Sequence, residues 1–296
     1  MEQRVEVGGV TWHNLERPDN NELAAFIRDT NLSTLDAEFI MHDHQRPEVT
    51  VRADYILMLI HVPVFDKKLR VTSAAPLYFV VKENKIFTLQ YDHIVTIQKI
   101  LQEFESNSDK HMELFGDNAL SLTLYIISLL NNSSFRKIAR LIKHIEIAED
   151  AVFHGNERKM VEEIAVLARD VLDFRRIIRP QITIFSNLSS NDFPEDIQAQ
   201  WQRLSGQLEQ MWDALEALHD STKELRDTND SLLQYKENAL LRLLSVYSII
   251  AIPVLVLTNP YSSSNFFTRG LFWGGLVLLI MLLALIFLRA KRRRVL

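Results

Sequence analysis

Residues 252–270 read "IPVLVLTNPYSSSNFFTRG" and connect two long apolar runs. The first run, 239–257, is interrupted only by one arginine, two serines and a tyrosine, and the second, 271–288, contains no charged residue. A helix rises about 1.5 Å per residue, so each run is long enough to cross a hydrocarbon core about 30 Å thick. A buried hairpin in a soluble protein is the alternative, but buried helices rarely extend this far without a polar face. The sequence therefore predicts two transmembrane helices.

The basic tail, 289–296, sets the predicted orientation. It carries five cationic side chains directly after the second apolar run. Such clusters remain on the cytoplasmic side of a membrane. Two crossings then place the long N-terminal portion in the cytoplasm and residues 258–270 outside as a short loop. We expect a multi-pass protein of the inner or plasma membrane with both termini cytoplasmic.

Composition narrows the class of function. The chain has 296 residues, a net charge of −5, no cysteine and eight glycines, none of them in a phosphate-loop or Gly-x-Gly-x-x-Gly pattern. Thiolate metal sites and disulfides are excluded, and dinucleotide or P-loop chemistry is not indicated. No basic stripe points to nucleic acid, and no serine, histidine and acid combination points to an enzyme.

The N-terminal part, 1–120, has the pattern of a cytoplasmic α/β domain. Asp19 is a candidate N-cap for a helix over Asp19–Asp29, and a second helix is predicted over Ile94–Glu105. Short β-branched and aromatic runs predict six strands: Val5–Val7, Val10–Trp12, Val49–Val51, Tyr55–Val64, Leu77–Val81 and Ile86–Leu89.

Residues 121–238 predict a helical bundle and stalk, with breaks at 131–134 and 187–194. No proline occurs between Pro194 and Pro253, so one helix can continue from the cytoplasm into the bilayer. A heptad stripe follows Pro194: Leu204, Leu208, Met211, Leu215, Leu218, Thr222, Leu225, Asn229 and Leu232. Two interpretations stay open, because the stripe can pack on the chain's own helices or, at polar Thr222 and Asn229, line a wet axis between subunits as in a coiled coil.

Several segments resemble the CorA family of magnesium and cobalt transporters, over nearly the whole chain. These are Val10-Thr11-Trp12 followed by Pro18 and Glu22-Leu23, Arg46-Pro47-Glu48-Val49, the stretch "NALLRLLSVYSIIAIP" over 238–253, and the tail "KRRRVL". The resemblance implies a funnel-shaped homopentamer in the lipid bilayer, with five copies of the first membrane helix around one pore.

The resemblance also implies roles for single residues. Asn238 would form a polar ring, and Leu241, Leu244, Ser248 and Ile252 would line the pore above it. Dewetting at the two leucines could gate the pore. Asp227, eleven residues before Asn238, falls where family members can carry an acidic ring that attracts hydrated cations.

The chain departs from the family at the outer end of the first membrane helix. The family signature there is Gly-Met-Asn, whereas this chain has Tyr261-Ser262-Ser263-Ser264, and no Gly-Met-Asn occurs anywhere. The hydroxyls of these serines, or Asn259, offer oxygen acceptors to a hydrated magnesium ion. Arg269 in the same loop would repel cations.

Two hypotheses follow. The first is a CorA-like channel that conducts divalent cations passively (Mg²⁺, or Co²⁺, Ni²⁺ or Zn²⁺), with the same ions as regulatory ligands. The second is a non-conducting, membrane-anchored pentameric sensor or scaffold.

From Asp192 to Glu237 the chain has eleven acidic and four basic residues, so five adjacent stalks would repel one another unless cations intervene. The His42-Asp43-His44 triplet is interpreted as a solvated loop because no third ligand accompanies it.

Overall fold

The computed structural model describes residues 2–41, 46–66, 70–106, 118–187, 193–258 and 281. The chain divides into two compact units, Met1–Asn229 and Asp230–Leu296. The first unit contains the sheet and most of the helical residues. The second contains the end of the last long helix.

A six-stranded sheet forms the centre of the first unit, with the order β1-β2-β6-β5-β4-β3. All neighbouring strands are antiparallel except β2 and β6, which are parallel. The glycines between β1 and β2 both have positive φ, 57° at Gly8 and 81° at Gly9, as a two-residue hairpin turn requires. The strands are β1 Glu2–Val7, β2 Val10–Glu16, β3 Glu48–Val51, β4 Ile56–Asp66, β5 Val71–Lys82 and β6 Lys85–Gln90.

Helices cover both faces of this sheet, which explains why β4 is buried along most of its length. Helices α1, Asn20–Thr30, and α2, Thr34–Met41, supply Phe26 and Ile40 to the core on one face. On the other face α3, Val95–Ser106, packs Phe104 against Trp12 at 6.0 Å between ring centroids. The predicted α/β character of this part of the chain is confirmed.

Helix α1 begins where the sequence predicts. The Asp19 carboxylate accepts hydrogen bonds from the backbone N–H groups of Asn21 and Glu22, both at 2.8 Å, and the Glu22 side chain bonds back to the Asp19 N–H. This is a capping box, which stabilises the first turn. Helix α2 was not predicted, although Ser33 immediately precedes it and its Oγ accepts from the Asp36 N–H at 3.2 Å.

The predicted break at 131–134 is wrong, because α4 runs unbroken over Ala119–Phe153. Asn131 and Ser134 are buried and have partners: Asn131 donates to Gln207 at 3.3 Å, and the Ser134 hydroxyl donates to the Leu130 carbonyl at 3.2 Å. Asparagine and serine favour loops, but tertiary contacts keep these two residues in the helical conformation. The chain turns instead at 154–156, where Gly155 has φ 90°.

Helix α5 spans Glu157–Asn187, and α6 spans Glu195–Thr258. The predicted break over 187–194 falls between them, and the predicted long helix after Pro194 is confirmed. Gln207 donates to Ser128 on α4 at 3.2 Å, and Gln200 bonds to Ser121. Both pairs are 79 residues apart, so α4 and α6 run parallel. Trp201 donates to the Phe185 carbonyl at 2.8 Å, which ties α5 to α6.

The heptad stripe of α6 packs within its own chain. Leu204, Leu208, Met211 and Leu215 are at most 1% exposed. The proposed wet axis between subunits is wrong for Thr222 and Asn229, because each is only 1% exposed in the single chain. A side chain that its own subunit already covers cannot line an axis between subunits.

No helix within the described ranges combines the length and the hydropathy that a membrane crossing requires. The predicted second membrane helix, 271–288, lies outside the described residues except for Met281, as do most of the loop 258–270 and the whole basic tail.

Candidate functional site

The predicted pore-lining residues are all on α6 in the second unit. Asn238, Leu241, Leu244, Ser248 and Ile252 fall within about 120° of one another around the helix, at about 100° per residue. Leu241, Leu244 and Ile252 are 61%, 62% and 62% exposed. The Ser248 hydroxyl donates to the Leu244 carbonyl at 2.9 Å. These side chains therefore share one exposed face of the helix.

The same part of α6 is apolar on its other faces too. Large hydrophobic side chains are exposed all around it: Leu240, Leu243, Val246, Tyr247, Ile249 and Ile250. A soluble helix normally has an apolar stripe and a polar face. An apolar surface on every side of a helix is typical of contact with lipid or with other subunits.

In the first unit, α6 carries a stripe of exposed acidic side chains. The members follow one another at intervals of three or four residues: Glu209, Asp213, Glu216, Asp220, Glu224 and Asp227. At about 100° per residue the stripe is centred about 180° from the buried heptad stripe. The sequence shows this excess of acid, but its arrangement on one face emerges only when the helix and its buried side are known.

Glu216, in the middle of this acidic stripe, contacts α5. The Arg175 guanidinium lies 3.7 Å from the Glu216 carboxylate. The guanidinium carbons of Arg175 and Arg179 lie 4.8 Å and 5.3 Å from the centre of the Trp212 ring. These cation–π contacts hold α5 beside α6.

The remaining predicted site residues are not brought together in the described structure. Asn259 and 261–264, the predicted outer filter, lie outside the described residues, and so does the His42-Asp43-His44 triplet. Among the residues that are described, no group of three histidine or acidic side chains is arranged to hold a metal ion. Asp227 is exposed on α6.

A family model and a curated relative both relate this chain to CorA proteins. The family model described as CorA-like Mg²⁺ transporter protein matches residues 7–292. The cobalt/magnesium transport protein CorA of Thermotoga maritima is 20% identical over 272 residues, which cover 89% of this chain and 75% of that protein.

Solved structures share the fold. The complete structure of the CorA magnesium transporter from Methanocaldococcus jannaschii matches with a TM-score of 0.78 at 19% identity, covering 95% of this chain and 90% of that one. The full-length CmaX protein matches with a TM-score of 0.76 at 15% identity, covering 95% and 88%. The family match spans the sheet domain, the helical stalk and both apolar runs, so this chain belongs to the CorA-like Mg²⁺ transporter family.

Proposed function

We propose that this protein is a passive channel for divalent metal cations, formed by five copies of the chain around a central pore. The cargo is Mg²⁺ or a similar ion: Co²⁺, Ni²⁺ or Zn²⁺. The observation that carries this proposal is helix α6, Glu195–Thr258, which presents an exposed acidic stripe and then an apolar surface on all sides. Acidic side chains concentrate cations near a pore, and an apolar helix can cross a bilayer.

The proposed topology has membrane helices at 239–257 and 271–288, an external loop between them, and cytoplasmic termini. The exposure of Leu241, Leu244 and Ile252 supports the first helix, and the uncharged second run supports the other. The five cations after 288 support the orientation. A membrane interior 100 mV negative would favour entry of a divalent cation by about 4.6 kcal/mol.

The proposed pathway follows one face of α6. Asp227 attracts hydrated cations, Asn238 forms a polar ring three turns further on, and Leu241 and Leu244 gate by dewetting. Ser248 and Ile252 continue the lining. At the outer mouth, hydroxyl and amide oxygens of Asn259 and 261–264 contact the hydrated ion.

Ion flux into liposomes tests this proposal. The purified protein is reconstituted with an Mg²⁺-sensitive dye inside the vesicles, and parallel preparations report Co²⁺, Ni²⁺ and Zn²⁺. We expect uptake that Asn238→Leu reduces at least tenfold. Tyr247→Leu is the matched control, since its position is about 180° from Asn238 around the helix and leaves the pore face intact.

A second function is favoured by the missing Gly-Met-Asn motif and by Arg269. In this alternative the pentamer is a membrane-anchored sensor or scaffold that does not conduct. An intact pentamer that takes up none of the four ions would overturn the channel proposal and support this alternative.

A further inference from the structure

An open cavity of about 640 Å³ lies in the first unit between α3, α4 and the end of β4. It is within the size range of small-molecule sites, which commonly occupy 300–1,000 Å³. One wall is apolar and includes Phe65, which is 45% exposed, together with Val64 and Leu129. The sequence did not indicate this cavity, because its walls come from three separate elements.

A second wall, formed by residues of α3 and α4, is strongly cationic. Lys99, Arg136, Lys137 and Arg140 line the cavity, and Glu103 is the one acidic residue among the described residues that line it. None of the four cations forms an ion pair with a carboxylate of the described residues. The wall therefore carries three net positive charges that no neighbouring acid of the described chain neutralises.

The pKa of Lys137 is lowered by burial and by the neighbouring positive charges. Its ammonium group is half-buried and donates a hydrogen bond to the Pro63 carbonyl. Burial, followed by the charges of Arg140 and Arg136, lowers the pKa of Lys137 from its usual 10.5 to about 8. An anion in the cavity would relieve this repulsion between cations.

The first turn of α3 adds neutral donors to the same wall. Ile94, Val95 and Thr96 line the cavity at the start of this helix. Ile94 has no side-chain group that could cap the first N–H groups, and the first turn contains no acidic residue. The Ile94 N–H donates to the Gln90 side chain at 3.3 Å and the Ile97 N–H to the Ile94 carbonyl at 2.9 Å, so the N–H groups of Val95 and Thr96 and the helix dipole are what this end offers to an anion. The Thr96 and Ser133 hydroxyls lie 3.1 Å apart beside it.

We propose that this cavity binds a small phosphorylated ligand with an attached ring, of the nucleoside di- or triphosphate class. The phosphates contact Arg136, Arg140 and the start of α3, since guanidinium groups bind phosphate in a bidentate manner. The ring lies against Phe65 and the apolar wall. A free metal cation is repelled from this site, so the inference does not depend on ion conduction.

Equilibrium dialysis of the purified full-length protein, lipid-free in an uncharged detergent with EDTA, tests this inference. The probes are ATP, inorganic triphosphate and adenosine. We expect ATP to bind most tightly, triphosphate more weakly and adenosine not at all. The paired substitution Arg136→Glu/Arg140→Glu should weaken ATP binding at least tenfold, because it reverses two phosphate contacts. Phe65→Ala should weaken binding of ATP but leave that of triphosphate unchanged.

The matched control is Arg158→Glu/Lys159→Glu, which makes the same change in charge at exposed residues of α5 that do not line the cavity. It should keep ATP affinity within twofold. Elution volume and thermal midpoint establish that each variant is folded. Equal losses in the two paired variants, equal affinity for ATP and triphosphate, or no ATP binding by the native protein at millimolar concentration would each overturn the proposal.

Discussion

Single buried polar residues decide how the sheet domain is held together. Asp36 on α2 is 6% exposed, and its carboxylate accepts hydrogen bonds from the Arg52 Nε and Nη2 at 3.0 and 2.9 Å and from the Tyr55 hydroxyl. The Tyr55 oxygen also accepts from the Ser33 N–H at 3.0 Å. This cluster fastens α2 to the segment that leads into β4. Sequence spacing did not reveal it, because Asp36 and Arg52 are 16 residues apart.

The hydrogen bonds from Arg52 hold the pKa of Asp36 at about 2, below its usual 3.8. A lowered carboxyl pKa contributes stability that is present above about pH 4 and is lost as the pH falls through 2. We expect Asp36→Asn to lower the free energy of unfolding by about 1–2 kcal/mol at pH 7, since Arg52 is partly exposed and solvent screens the pair.

Thermal unfolding of both proteins between pH 7 and pH 2 measures this difference, which should shrink steadily as the pH falls from 4 to 2. The exposed Asp29→Asn is the control and should change stability by less than about 0.5 kcal/mol. A difference between native protein and Asp36→Asn that is constant with pH would contradict the assignment.

A second buried cluster joins β2 to β6. The Trp12 indole N–H donates to the Thr88 hydroxyl at 2.9 Å, and that hydroxyl donates to the Asn14 side chain at 2.8 Å. We expect Thr88→Val to cost about 1–3 kcal/mol of unfolding free energy, because the indole N–H loses its acceptor in a dry site. Chemical denaturation measures this loss. Thr11→Val, in the same strand pair but partly exposed, should be nearly neutral.

The buried stripe of helix α6 includes a polar residue whose effect on stability can be measured. The stripe ends at Asn229, whose side-chain oxygen is buried and has no hydrogen-bond partner among the described residues. An unpaired buried oxygen costs about 1–3 kcal/mol. We therefore expect Asn229→Leu to raise the thermal midpoint, whereas Leu225→Asn one turn earlier should lower it. A lower midpoint for Asn229→Leu would contradict the prediction that the buried amide oxygen destabilises the fold.

For the whole molecule, the acidic face of α6 determines the expected response to metal. In the proposed pentamer five such faces would repel one another, and bound divalent cations would relieve that repulsion. We expect Mg²⁺ at ten times its dissociation constant to stabilise the purified assembly by about 1.4 kcal/mol relative to chelator. Differential scanning calorimetry in Mg²⁺ and in EDTA tests this prediction.

Asp213→Asn/Asp220→Asn should reduce the stabilisation by Mg²⁺, since it removes two charges from each acidic stripe. Asp29→Asn/Glu38→Gln removes the same number of exposed charges from α1 and α2 and should leave the Mg²⁺ response intact. If native protein unfolds at the same temperature in Mg²⁺ and in EDTA, the acidic stripes do not bind stabilising cations.

Features that depend on local periodicity could be predicted from the sequence. Six strands, the capped start of α1 and the helix that follows Pro194 were all predicted, since turn chemistry and apolar spacing act over a few residues. The remaining features depend on how the helices and the sheet pack together. This packing kept α4 helical through Asn131 and Ser134 by giving them buried partners, and it turned Thr222 and Asn229 inward to their own chain. It also brought Lys99, Phe65 and Arg136 to one cavity. These outcomes depend on contacts between residues far apart in the chain, which no local pattern encodes.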